Sequence, residues 1–237
     1  MTPSETTDQN KMRSLEGISG SLATRVYQFL KDSIMSLEFA PGDILRKNEI
    51  AEQLGVSRSP VSEAFAKLAA EGLVEIVPQS GTYVSRFSMD EIREGAFLRA
   101  ALELAAVEKV ARERTEKQLT QLNRNLRLQE LLLQDGDIPG FYQADEEMHA
   151  LIMSFTGFKR LAGFAESAWL QVNRARQLIL PSPGRVHETL EEHADIIEAI
   201  RKGDPIAARE ATKKHLGQLI KRLEPLEQER PELFNSA

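Results

Sequence analysis

The chain has 237 residues, 41% of them apolar, which is enough for two ordinary domains, and a formal net charge of −6. It has no cysteine, which excludes a disulfide framework and any thiolate metal site and leaves His, Asp and Glu as metal ligands. Its most apolar stretch, Gly95 to Val107, is broken by Arg99 and Glu103 and is too short for a bilayer, and Met1 to Gly20 has no apolar signal core. A soluble, cytoplasmic protein with no membrane partner is expected.

Residues 1–20 are polar and aperiodic and are expected to form a flexible arm. From Ser21, the apolar residues Leu22, Val26, Phe29, Leu30, Ile34 and Leu37 recur at three and four, predicting a helix that Pro41-Gly42 cuts off. Two short helices follow. One covers about 47–54 and stops at Gly55; the other begins at Ser57 as N-cap, with Val61, Phe65 and Leu68 on one face, and ends at Gly72. The period then changes to two: Val74 to Val77 and Thr82 to Val84 flank a polar turn, Pro78 to Gly81, and predict a hairpin.

After Phe87 the pattern is helical throughout. Ser88 with Glu91 and Thr115 with Gln118 have the spacing of capping boxes, and Asp137 with Pro139 and Asp204 with Pro205 mark further helix starts. About six helices are expected, near 88–111, 115–135, 138–155, 158–179, 184–202 and 204–223, packed as an antiparallel bundle, with a frayed tail over 224–237. The fold class is therefore mainly α: a winged helix-turn-helix over 21–86, then an all-helical domain over 87–223.

Charge gives no hint of nucleic acid, since residues 21–86 carry seven Lys/Arg against eight Asp/Glu. The local pattern does. Ala51 lies four residues before Gly55, so a small side chain and a left-handed turn position allow two helices to approach, and the second helix presents Ser57, Arg58, Ser59 and Ser62 near its N-terminus. Pro41 to Leu45, Ile50-Ala51, Leu54 to Val61, Glu63-Ala64 and Glu71 to Val74, followed by Gly81-Thr82, resemble the GntR family of regulators. The resemblance implies binding to double-stranded DNA. Ser57, Arg58 and Ser59 would contact phosphate and guanine, Asn48 would help from the preceding helix, and the wing tip from Gln79 to Gly81 would enter the minor groove. Arg58 is the natural base reader because its planar fork matches the two acceptors of guanine. The family usually has an arginine where this chain has Ser62, leaving Arg46 and Lys47 to supply phosphate contacts, and the family's operator sequence does not transfer.

Three of the four histidines fall in a pattern on helices. Asp145 and His149, four apart, share a helix face; His193 precedes the apolar positions Ile196, Ile197 and Ile200; His215 sits among Ala208, Ala211 and Leu219. Three imidazoles and a carboxylate suit a divalent ion such as zinc or nickel, although each histidine alone also reads as an ordinary core residue. The Asp-x-x-x-His pair, the Glu-His of the later helix, Gly203-Asp204 and His215 resemble the FCD ligand-binding domain of the FadR branch of this family, in its metal-binding subgroup. Met148 departs from that pattern, and His187 has no counterpart in it. The resemblance implies that Asp145, His149, His193 and His215 hold the metal and leave positions open for a carboxylate effector, with Arg99 reaching in to clamp the anion. The alternative for Arg99 is a surface pair with Glu103. Asn173, Arg174 and Arg176 are weaker pocket candidates, because arginines two apart cannot both point inward.

The expected function is a homodimeric regulator, a repressor on an inverted repeat, controlled by a sugar acid or another small carboxylate. Two alternatives stand beside it: a sensor in which the ion is the signal, and a metal-dependent hydrolase, for which no motif singles out a base among Glu146, Glu147 and Glu192.

Overall fold

The computed structural model describes residues 15, 17–161, 169–182 and 184–235. The chain divides into two compact units, 1–85 and 86–237.

In the first unit, α1 (Leu22–Met35) is capped by the Ser21 hydroxyl, which accepts the Thr24 amide, and buries Val26, Phe29, Leu30 and Ile34. It packs on α3 (Arg58–Ala70), which also receives α2 (Lys47–Gln53). Gly55, at φ +64°, turns the chain between α2 and α3. The hairpin forms from β2 (Val74–Val77) and β3 (Gly81–Val84), with Val74 opposite Val84 and Val77 opposite Gly81. A two-residue strand, β1 (Ile44–Leu45), adds to β3 and gives the sheet order β1-β3-β2. Two residues are too few for a period, so β1 has no sequence signal. Of the arm expected over 1–20, residues 1–14 and 16 lie outside the described residues. Leu15 is buried, and its carbonyl accepts a hydrogen bond from Arg25.

The second unit is helical: α4 (Met89–Glu113), α5 (Glu116–Gln134), α6 (Ile138–Phe155), α7 (Leu170–Ile179), α8 (Arg185–Lys202), α9 (Pro205–Leu216) and α10 (Gln218–Glu229). The box of Thr115 and Gln118 is complete, whereas Ser88 accepts the Glu91 amide without a reciprocal bond from Glu91. Asp137 and Asp204 cap α6 and α9 as their spacing predicts. α9 packs on α4 and α8, and α5 packs on α6 and α8, around a core that includes Val107, Val110, Leu122, Met148, Ile152, Ile196 and Ile200. Of the helix expected over 158–179, Phe158 to Arg160 are not helical, residues 162–168 lie outside the described residues, and Leu161 and α7 are helical.

Two expectations about the end of the chain are corrected. The helix expected over 204–223 is two helices, meeting at Gly217. The tail is not frayed over 224–235: α10 continues to Glu229, a 3-10 turn follows at Pro231–Leu233, and Phe234 is buried against Phe87 with ring centroids 5.8 Å apart. The Phe87 amide donates to Leu233 and the Asn235 amide donates to Phe87. One buried aromatic and these backbone bonds are enough to order a short polar segment.

Candidate metal centre and nucleic-acid interface

Three helices bring the histidines together. His149 from α6, His193 from α8 and His215 from α9 are all buried, and one ring nitrogen of each lies within 4.8 Å of the others. Each Nδ1 is held by an acceptor on a neighbouring side chain. Glu103 of α4 takes His149 at 2.6 Å, Gln129 Oε1 of α5 takes His193 at 2.7 Å, and Glu192 of α8 takes His215 at 2.9 Å. Acceptors at Nδ1 fix the proton there, so the Nε2 lone pairs are the ones turned inward.

Inward, the His149 and His215 Nε2 atoms are 3.2 Å apart, and the Asp145 Oδ1 atom lies 3.4 Å from His149 Nε2 and 4.0 Å from His193 Nε2. Two ligand atoms on a tetrahedral zinc, each about 2.05 Å from it, stand about 3.3 Å apart. Lone pairs facing at that distance repel unless a cation or a proton lies between them. Asp145 Oδ1 and His193 Nε2 are, moreover, buried with no hydrogen-bond partner. Buried polar atoms are rarely left unpaired, so the donor set and its two orphaned atoms fit a divalent cation.

The electrostatics favour a neutral imidazole at two of the three histidines. Burial and the neighbouring histidine hold His215 well below the usual imidazole range, and burial does the same for His193, so both are neutral as ligation requires. Burial would also lower His149, but the Glu103 and Asp145 carboxylates together raise it, which favours a proton on this ring as long as no cation takes its place. Burial alone would raise Asp145, yet the Arg176 guanidinium, which hydrogen-bonds its Oδ2, keeps it well below the carboxylate range.

The surroundings continue outward as relays. Arg99 Nε donates to Glu103 Oε1 at 2.6 Å, and Arg185 donates to Glu192 at 3.0 Å. Gln129 donates to Asn125 Oδ1 at 2.7 Å, and Asn125 donates to the Ala144 carbonyl. Arg99 does pair with Glu103, but the pair is buried, with side chains 5% and 3% exposed, so the surface-pair alternative does not hold. Arg99, Arg176, Arg185, Thr189 and His215 line one cavity of about 30 Å³. Asn173 is not among its lining residues; its backbone carbonyl accepts the Tyr142 hydroxyl. Arg174 and Arg176, about 200° apart on the helix, are both buried but on opposite sides. Arg174 lies over the Phe87 ring, 4.5 Å from its centroid, and burial pushes it down to about 10.

Sequence reading missed Gln129 and Arg185. Gln129 had a signal: with Asn125 it interrupts the buried α5 stripe of Leu119 and Leu122 at a spacing of four. Arg185 had none, because an arginine opening a helix reads as a solvated charge.

In the first unit, Ser57, Arg58 and Ser59 are exposed at the start of α3, and Arg46, Lys47 and Asn48 are exposed at the start of α2. Ser57 occupies the N-cap position but makes no side-chain capping bond, leaving its hydroxyl available. Ser62 is half-buried and donates back to the Arg58 carbonyl at 3.0 Å, an internal bond typical of helical serine. Arg46 lies 3.5 Å from Glu49 in an exposed pair. At the wing, Gln79 has φ +63° and Gly81 φ +150°, and Ser80 hydrogen-bonds the Tyr83 hydroxyl at 2.7 Å.

A winged helix-turn-helix joined to a helical domain with a buried His/Asp pocket defines a class: DNA-binding regulators that answer to a ligand. Residues 22–84 match the family described as bacterial regulatory proteins, gntR family, and residues 94–218 match the FCD domain. The chain belongs to the GntR family of transcription regulators, in the FadR subfamily with an FCD domain, and that family is one of regulators rather than enzymes. It is 32% identical over 211 residues to the HTH-type transcriptional repressor RspR of Escherichia coli K12, covering 89% of this chain and 92% of that one. It is 33% identical to the Uxu operon regulator of Haemophilus influenzae, covering 87% and 84%. Among solved structures, a putative GntR transcriptional regulator from Rhodococcus sp. RHA1 superposes with TM-score 0.74 at 25% identity, covering 87% of this chain and 99% of that one. E. coli McbR/YncC shares the fold, with TM-score 0.73 at 23% identity over 88% and 99%. Among the described residues, no helix is long and apolar enough to cross a membrane.

Proposed function

We propose that the protein is a homodimeric repressor that binds an inverted repeat and changes its grip when a small carboxylate, such as a sugar acid, enters a pocket built around a divalent ion, with zinc as the first choice. The observation that carries the reading is the convergence of three Nε2 atoms and an orphaned carboxylate oxygen, backed by acceptors on every Nδ1. His149, His193, His215 and Asp145 hold the ion, which supplies Lewis-acid attraction for a carboxylate. Arg99 and Arg176 line the approach and hold the acid's oxygens. On the DNA side, the exposed Arg58 reads a base, while Ser57, Ser59, Arg46, Lys47, Asn48 and the wing from Gln79 to Gly81 meet the backbone and minor groove. Ser62 is spent on its own helix and adds little.

Support for a second copy comes from α4, where Phe97 is 73% exposed and Leu98 41% exposed, beside a groove lined by Leu216 and Ile220. Repression follows relatives that carry that name. The test is selection of duplexes from a random library by the purified protein and by Arg58→Ala. A short inverted repeat enriched by the wild type and lost with Arg58→Ala is the expected result. No enrichment, with or without added zinc, would overturn the reading.

A further inference from the structure

We infer that the segment 230–235 is a clasp on the two residues that join the units, and that the buried Arg174 keeps this clasp poised to open, so that its state sets the affinity for DNA.

The chain passes from the first unit into the clasp without slack. Ser85, the last residue of the first unit, still gives its amide to the Leu73 carbonyl. The next two residues are held by the far end of the chain. Arg86 Nε donates to the Glu232 carbonyl at 3.0 Å, the Phe87 amide donates to the Leu233 carbonyl at 3.0 Å, and the Phe87 carbonyl accepts the Asn235 amide at 2.8 Å. Phe87 and Phe234 pair as a parallel bridge. Ser88 already caps α4. Opening the clasp therefore frees Arg86 and Phe87 alone and gives the reader about 7 Å more tether.

Arg174 makes closure costly. It lies over the Phe87 ring, its side chain is fully buried, and its Nε, Nη1 and Nη2 atoms have no hydrogen-bond partner among the described residues. An aromatic face attracts the cation but does little to replace acceptors for its N–H groups. A guanidinium buried without an anion forfeits most of its hydration. Opening the clasp uncovers Arg174 and returns water to it. The open state in turn gives up the burial of Phe87 and Phe234, which are 1% and 4% exposed when the clasp is closed. Opposed terms of this kind leave a small gap between two states, which is what a switch needs.

Hydrogen exchange of the Phe87 and Asn235 amides in the full chain, together with anisotropy titration of the selected duplex, tests this. Arg174→Met keeps an apolar stem against Phe87 and removes the charge. It is expected to slow exchange of both amides roughly tenfold or more, the worth of relieving an unsatisfied buried group. Phe234→Ala is expected to speed the same exchange, and the two variants are expected to move DNA affinity in opposite directions, ending roughly 5-fold or more apart. Should Phe234→Ala fail to fold, Asn235→Pro deletes only the amide that donates to Phe87, and Phe234, at φ −111° and ψ 155°, already has the extended backbone that a following proline requires. Faster exchange or loss of fold in Arg174→Met would make Arg174 an anchor and overturn the inference. Affinities that fall together in both variants, as general destabilisation would give, or that do not change, would overturn it as well. If no duplex is selected at all, the regulator reading fails by itself and the claim on DNA affinity falls with it, while exchange of the two amides still decides the clasp.

Discussion

Glu103 shows how much one side chain can settle. It accepts from Arg99 with one oxygen and meets His149 Nδ1 with the other, both while almost fully buried. Burial would raise its carboxyl, but Arg99 and His149 hold it well below the usual carboxylate range, so it stays charged and keeps the imidazole turned inward. Glu103→Gln retains the shape, removes the charge and can present an amide N–H where an acceptor is needed. It should weaken zinc binding about 10- to 100-fold, measured by competition with a chromophoric chelator; unchanged affinity would show that the Nδ1 contact does not orient the ligand. The four candidate ligand positions were legible in sequence, Asp145 and His149 from helical spacing and the full set from the family resemblance. The side chains behind the histidines were less legible, since Glu103, Gln129 and Glu192 come from three helices and meet only on folding.

At the scale of elements, caps and turns carried most of the readable information. Thr115 with Gln118, Asp137 and Asp204 start helices because short polar side chains satisfy amides that the helix leaves free, a local effect that needs no tertiary context. β1 and the C-terminal segment depend on partners distant in sequence and left no periodic trace. Ile44 and Leu45 become a strand only beside Tyr83 and Thr82, and Phe234 orders its segment only against Phe87. The contact of Phe234 has a measurable consequence. With the ring 4% exposed, Phe234→Ala should cost about 3 kcal/mol of stability, seen as a lower Tm by calorimetry, with the segment after Glu229 becoming open to proteolysis. A Tm within a degree of wild type would mean that the terminus contributes nothing to the second unit.

For the whole molecule, net charge is a poor guide: the chain is acidic overall and its reader is close to neutral, so affinity for DNA has to come from a few placed contacts, doubled in the proposed dimer, rather than from a basic surface. Such a near-neutral reader is easily tuned, because a coupling of 1 to 3 kcal/mol changes affinity roughly 5- to 150-fold. The ligand produces that coupling only by binding one state better than the other. Reciprocity ties acid binding to DNA binding, so the coupling is directly measurable. Using the selected duplex carrying a fluorophore, anisotropy titrations would compare metal-stripped protein, zinc-loaded protein, and zinc-loaded protein with a small sugar acid. A metal-held acid should shift DNA affinity roughly 5-fold or more when acid is added to the zinc-loaded protein, with no response to acid in the metal-stripped protein or in His193→Ala. A full shift produced by zinc alone, with acid adding nothing, would contradict it and make the ion itself the signal.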